Sequence, residues 1–143
     1  LIIAAINKFP KEDCLVIDAG SCLTFDLISS KSVHKGGLIS PGLLMRFKSL
    51  SQYTSKLPYI NFENKITEIG IDTENSIQNG TLEGFIFEIN GQIEKYKRKT
   101  PNLKVILTGG DSKYLYKRIK NSIFAEQEFL ASGLNNLLAC NNL

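Results

Sequence analysis

Three stretches of this sequence set reactive or hydrogen-bonding side chains beside glycine. The first is Asp18-Ala19-Gly20-Ser21-Cys22-Leu23-Thr24-Phe25-Asp26, which follows the apolar run Cys14-Leu15-Val16-Ile17. It joins a carboxylate at a strand end to a glycine turn and two hydroxyls. Gly20 leaves backbone N–H groups open to a phosphate with no Cβ in the way, and Ser21 and Thr24 can donate to phosphate oxygens. A carboxylate cannot pair with phosphate directly, so Asp18 in such a site needs a bridging cation. A plain β-hairpin, with Asp and Ser satisfying its turn, suits the same residues, and both readings stay open here. The second stretch is Thr108-Gly109-Gly110-Asp111-Ser112 between a strand and a helix. Backbone donors there favour an anion or a nucleotide, while Asp111 or Ser112 as an N-cap is the plainer explanation. The third is Asp72-Thr73 ahead of a long helix, where Thr73 reads as an N-cap. His34 lies in a strand-like segment without a Ser or Cys nucleophile pattern and is read as structural.

The elements that must position these residues follow from apolar spacing. Leu1 to Phe9 reads as a short helix closed by Pro10. Cys14–Ile17 reads as a strand covered on both faces, Cys22–Ile28 as its hairpin partner, and Val33–Ile39 as a third strand. Ser40 and Pro41 suit the cap and first position of a helix with the stripe Leu43, Leu44, Phe47, Leu50, Thr54 and Leu57. Tyr59 to Gly70 reads as loop with room for one short strand. A long helix follows, from about Glu74 to Lys99, in which Gly80, Gly84 and Gly91 offer close packing against another helix. Leu103–Leu107 is a strand, then a helix runs to about Asn121. Ile123–Leu130 reads as an edge strand, and Leu134, Leu137 and Leu138 mark a last helix ahead of a frayed Asn-rich tail. The result is one mixed α/β domain over residues 1–143.

Composition narrows the function classes. The chain has 143 residues, and 17 Lys and Arg against 14 Asp and Glu leave a net charge of +3. That balance gives no reason to expect a nucleic-acid or membrane partner. No apolar run approaches the roughly 18 residues of a membrane span, and the start LIIAAINKFP is not patterned as a signal peptide. Three cysteines without a CxxC, and one histidine, predict neither a disulfide framework nor a zinc site, and point to a reducing, cytoplasmic setting.

The ordered set of motifs resembles a known family. VIDAGSCLTFD is similar to the second phosphate motif of the actin, heat-shock ATPase and sugar-kinase superfamily, and the succession resembles type III pantothenate kinase. The pieces run in family order: Asp18-Ala19-Gly20-Ser21 with Thr24 and Asp26, then Gly36-Gly37-Leu38-Ile39-Ser40-Pro41-Gly42. Leu57-Pro58, Ile69-Gly70 with Thr73, and Ser76-Ile77 with Gly80 come next. Leu107-Thr108-Gly109-Gly110 and Leu130 to Leu134 close the series.

The resemblance implies a mixed sheet flanked by helices, a ribonuclease-H-like (actin-like ATPase) domain that is the C-terminal one of two. It implies ATP-dependent phosphorylation of pantothenate to 4'-phosphopantothenate, the first step of coenzyme A biosynthesis. Asp18 corresponds to the ligand of a monovalent cation, K+ or NH4+. Gly20, Ser21 and Thr24 correspond to the grip on ATP, which carries Mg2+, with Ser21 standing where the family has Thr. Gly109 and Gly110 match the region near the adenosine end, and Thr73 the residue touching pantothenate. The family is dimeric and cytoplasmic. Its N-terminal phosphate loop and its GxDR motif, whose Asp is the general base, do not occur here. No catalytic residue is therefore assigned within the chain, the base is expected upstream of Leu1, and the chain alone is expected to be inactive. Two rival readings are a kinase for another small alcohol and a non-catalytic nucleotide- or nucleic-acid-binding regulator. The regulator would need a basic face from Lys95, Lys97, Arg98, Lys113, Lys117 and Arg118.

Overall fold

A run such as Cys14-Leu15-Val16-Ile17 is stable as a strand only if both faces are covered. In the computed structural model, which describes residues 1–115, 117–119, 123–125 and 129–141, this run forms β1 (Cys14–Ala19) at the centre of a sheet. β2 (Cys22–Ile28) and β3 (His34–Pro41) follow as an antiparallel meander. β4 (Lys104–Thr108) joins the other side of β1 in parallel, and β5 (Ile123–Ala125) lies parallel to β4. The order is β3-β2-β1-β4-β5, the ribonuclease-H-like arrangement expected from the sequence.

Strand alternation divides the apolar residues between two layers. Leu15, Ile17, Leu23, Phe25, Val105 and Leu107 face α2 (Leu43–Gln52) and α3 (Thr73–Lys99), against Leu43, Phe47, Leu82, Phe85 and Ile89. Cys14, Val16, Ile28 and Ile106 face the opposite way, onto Ala4 and Ala5 of α1 (Ile2–Lys8) and Phe129 of α5 (Phe129–Asn141). The short α4 (Ser112–Leu115) follows β4. Among the described residues no helix is long and apolar enough to cross a membrane.

Several boundaries differ from the sequence expectation. Ser40 and Pro41 do not open α2. They pair with Leu23 and Cys22 as the end of β3, and Gly42 is the N-cap. The chain is held extended this far because Gly42 lies directly on the carbonyls of Gly20 and Ser21, where any Cβ would overlap them. The helix then stops at Gln52, well before Leu57. Its last turn is rich in hydroxyls that accept no helical role: Ser51 Oγ donates to the Lys48 carbonyl at 3.1 Å and Thr54 Oγ1 to the Leu50 carbonyl at 2.6 Å. Asp72, not Thr73, caps α3, accepting from the Asn75 N–H at 2.8 Å.

The segment 59–70 contains no strand. Its backbone finds partners in two buried amides of α3 instead. Glu63 N–H donates to Gln78 Oε1 at 3.2 Å, and Thr67 N–H to Asn79 Oδ1 at 3.1 Å. Gly80, Gly84 and Gly91 meet no neighbouring helix. The helix expected to reach Asn121 ends at Leu115, and residues 117–118 form a turn. Of the expected edge strand, β5 covers Ile123–Ala125, residues 126–128 lie outside the described ones, and Phe129 and Leu130 belong to α5. Of the expected frayed tail, Cys140 and Asn141 are helical, and the last two residues lie outside the described ones.

Arg46 joins three of these elements. Its Nε donates to the Pro41 carbonyl at 2.9 Å and its Nη2 to Ser40 Oγ at 2.8 Å and to the Glu88 carboxylate, while the guanidinium sits 4.9 Å over the Phe85 ring. Removing this fork leaves a half-buried carboxylate unpaired. Arg46→Ala should lower unfolding free energy by about 1.5–3 kcal/mol, read from the urea midpoint. Arg46→Lys should recover only part of it, since an ammonium cannot reproduce the planar fork.

Candidate functional site

Residues directly opposite one another in a sheet point to the same face. Asp18 of β1 lies opposite Thr24 of β2 and beside Thr108 of β4. The three therefore form a polar row across three strands, on the α1 and α5 face, at the end where β1 gives way to its turn. The row borders a cavity of about 330 Å³ with Gly109, Gly110, Ser112 and Lys113 along it and Leu1 and Leu130 as apolar walls.

Two glycine turns close over this row. The Gly20 N–H donates to the Cys22 carbonyl at 3.0 Å, which makes Gly20-Ser21 a tight turn. Ser21 is exposed at its tip. A Cβ at Gly20 would lie 3.5 Å from Asp18 Oδ1, so the turn passes just over the carboxylate. On the β4 side Gly109 has φ +94°, and a Cβ there would overlap both the Ala19 carbonyl and the Asp18 carboxylate. The Asp111 N–H donates to the Ala19 carbonyl at 2.9 Å and ties the two turns together. The structure thus gathers Asp18, Gly20, Thr24, Gly109 and Gly110 at one corner, with Ser21 on its rim.

Burial shapes the electrostatics of the corner. Burial raises the Asp18 carboxyl above its usual range, and the Asp26 carboxylate pushes it the same way. Burial also raises Asp111, with Lys113 opposing. Two partly desolvated acids at one strand end gain from positive charge placed between them and solvent. The Cys14 thiol, two turns of pleat back on the same face, is pushed up to about 11 by burial and stays neutral.

Thr73 is not in this corner. It lines a second, larger groove of about 760 Å³ between α2 and α3, together with Arg46, Ser49, Asp72, Ser76 and Thr81. Gly80 and Gly84 border the same groove, which is why nothing packs on them. The two places are bridged by α2. Gly42 rests on the Gly20-Ser21 turn, and Arg46 lines the groove four residues on, about 6 Å of helical rise. His34 is not among the residues lining either cavity. Its Nε2 lies 2.8 Å from Asp26 Oδ1 on the strand surface. Asp72 is held below the usual carboxylate range by the Asn75 backbone and side-chain N–H groups, as befits a cap.

Sequence reasoning named Thr108 and Ser112 without placing them beside Asp18, and gave Lys113, Arg46 and Ser49 no place at a site. Thr108 joins the site through its register with Asp18, which only the parallel pairing of β1 with β4 reveals. Ser112 and Lys113 follow the second glycine turn and were legible only as a cap and as part of a basic face. Of that basic face, Arg118 holds Asn64 by side chain and carbonyl, and the ammonium groups of Lys95 and Lys113 sit over Tyr96 and Tyr114. Arg46 and Ser49 lie on the polar flank of the α2 stripe, where no sequence pattern singled them out.

Known proteins are similar in sequence to this chain. The family model described as type III pantothenate kinase matches residues 1–95. A type III pantothenate kinase of Flavobacterium psychrophilum is 45% identical over 133 residues, covering 93% of this chain and 55% of the relative. One from Christiangramia forsetii is 46% identical over 141 residues, covering 99% and 58%. The chain thus spans little more than half the length of these curated relatives, and matches their C-terminal part. Among solved structures, a conserved putative Baf family transcriptional activator from Campylobacter jejuni superposes with a TM-score of 0.68 at 28% identity, covering 99% of this chain and 65% of that one. The ethanolamine utilization protein EutJ from Carboxydothermus hydrogenoformans, at 13% identity and a TM-score of 0.50, covers 92% of this chain and 51% of its own and shares the fold.

The raised Asp18 carboxyl has a consequence for stability. A carboxyl whose folded value exceeds its unfolded one favours the fold while protonated, and this contribution is lost as pH rises through the folded value. At neutral pH ionised Asp18 therefore destabilises the cation-free chain. Asp18→Asn should raise the Tm at pH 7 in a buffer whose only cation is tetramethylammonium. The gain should shrink toward zero as pH falls below the ordinary carboxylate range, followed by circular dichroism.

Proposed function

Because the chain belongs to the type III pantothenate kinase family, we propose that it carries the cation site, part of the ATP site and part of the pantothenate site of an enzyme that phosphorylates pantothenate to 4'-phosphopantothenate. The observation that carries this reading is the polar row Thr24–Asp18–Thr108 closed over by two glycine turns. One desolvated carboxylate flanked by hydroxyls and backbone carbonyls suits a singly charged ion. Among the described residues no group of three or more His, Cys, Asp or Glu is gathered for a stronger metal site. Asp18, with the Ala19 carbonyl and Thr24 near it, would hold K+ or NH4+, whose charge offsets the negative phosphates of the nucleotide.

The chain's own residues then have separable tasks. Ser21 presents its hydroxyl to the ATP phosphates, which arrive with Mg2+; Gly20, whose own N–H is held by the Cys22 carbonyl, keeps the approach free of a side chain, and Thr24 backs the turn. Gly109 and Gly110 leave room for the nucleoside end. Thr73 and its neighbours in the α2–α3 groove hold pantothenate, and a homodimer in the cytoplasm is the assembly in which that groove would work. Transfer of a phosphoryl group depends mostly on such positioning and charge stabilisation. Removal of the acceptor hydroxyl's proton is assigned to the Asp of the family's GxDR motif upstream of Leu1, not to a residue of this chain.

Two measurements separate the parts of this reading. ADP with Mg2+ should bind the chain at least about tenfold more tightly in K+ or NH4+ than in tetramethylammonium, by calorimetry. Asp18→Asn should erase that difference, and an affinity indifferent to both changes would sink the cation assignment. Thr73→Val should weaken pantothenate binding about 5- to 30-fold through one lost hydrogen bond and leave ADP unaffected. Binding of other small hydroxy acids as tightly as pantothenate would favour the different-alcohol reading.

A further inference from the structure

A nucleotide entering the corner at Asp18 brings several negative charges beside a carboxylate that is already partly desolvated. Among the described residues lining that cavity, Lys113 is the one Lys or Arg. Resting on the nucleotide reading above, we propose that Lys113 pairs with the phosphate oxygens of the bound nucleotide and so sets the preference of this cavity for a nucleoside phosphate over a free nucleoside.

Its placement is fixed by the same contacts that build the corner. The Asp111 N–H holds the Ala19 carbonyl at 2.9 Å, and the Ser112 N–H returns to the Gly109 carbonyl at 3.1 Å, so the backbone at Lys113 is anchored to the end of β1. The ammonium rests 4.9 Å over the Tyr114 ring. Tyr114 is set edge-on against Phe62 at 4.9 Å, and Phe62 is tilted against Phe47 at 5.8 Å, which roots this seat in the α2–α3 layer. An aromatic face attracts an ammonium without neutralising it. Among the described residues no carboxylate lies within 4.0 Å of Lys113, whereas Arg46 is spent on Glu88 and Lys104 on Glu12. The side chain is exposed, unbranched and lines the cavity, so it can leave the ring for an anion that enters there.

The test is a calorimetric comparison of adenosine, AMP and ADP on the 143-residue chain in K+ buffer, with Lys113→Met and Lys113→Arg beside the unchanged protein. Lys113→Met should weaken AMP and ADP by about tenfold and leave adenosine unchanged, and Lys113→Arg should restore most of the loss. An equal loss for adenosine, or no loss for either phosphate, overturns the proposal. If the unchanged chain binds none of the three, the nucleotide reading itself falls. If it binds ADP and loses it on Asp18→Asn but not on Lys113→Met, only the role of Lys113 does. Circular dichroism melts of each variant exclude loss of the fold as the cause.

Discussion

Everything in this domain turns on the register of β1. The strand is held antiparallel to β2 on one side and parallel to β4 on the other, and both pairings place Asp18 in line with a threonine. All other residues of the strand are buried, and Asp18 alone keeps some exposure. A slip of one residue would exchange the two faces. Asp18 would then point into the layer of Phe25, Phe47 and Phe85, where an ionised carboxylate has no partner, and Ile17 would point at the cavity. The hydrophobic split of β1 therefore fixes the register, and the register builds the polar row. The site needs no separate scaffold, because the packing that stabilises the sheet also sets its side chains.

The first corner was legible in the sequence because its signals are local. A carboxylate after an apolar run, a glycine two residues on, and hydroxyls at Ser21 and Thr24 all fall within one hairpin. Their geometry follows from strand alternation and a tight turn. Thr108, though named in the second glycine stretch, and Lys113 could not be placed beside Asp18 for the opposite reason. They reach the corner through a parallel pairing across more than eighty residues of intervening chain, and no local pattern carries a parallel register. Misplaced boundaries have similarly non-local causes. Ser40-Pro41 has the composition of a helix start, but Gly42 must fit against the turn carbonyls of Gly20 and Ser21, which keeps the strand going. Gln78 and Asn79 look like surface polar residues of a helix, yet they are buried because they supply the hydrogen bonds of 59–70.

The groove between α2 and α3 is an open space in a layer that is otherwise well packed, and glycine is its cause. Gly80 and Gly84 fall on the same face of α3 as Ser76 and Ile77, and the absence of side chains there leaves a wall that α2 does not fill. Each such glycine costs the helix about 1 kcal/mol relative to Ala. Two in the middle of a 27-residue helix would be a poor choice for stability alone. Arg46 limits the damage, since its contacts with Ser40, Pro41, Glu88 and Phe85 hold α2 at a set distance from α3 while their facing surfaces stay apart.

The same helix joins the two cavities mechanically. Its N-terminal Gly42 is seated on the carbonyls of the Gly20-Ser21 turn, and Arg46 and Ser49 line the groove one and two helical turns later. Because a Cβ at Gly42 would overlap those carbonyls, any displacement of the turn must be taken up either by β3, through Pro41 and Ser40, or by a shift of α2. β3 is an outer strand with one neighbour, β2, and its residues are largely exposed, so it resists less than the buried sheet centre. Arg46 bonds to β3 and to α3 at once. One helix therefore carries a residue seated on the first cavity's turn and a residue lining the second, so the packing that positions α2 fixes both walls together.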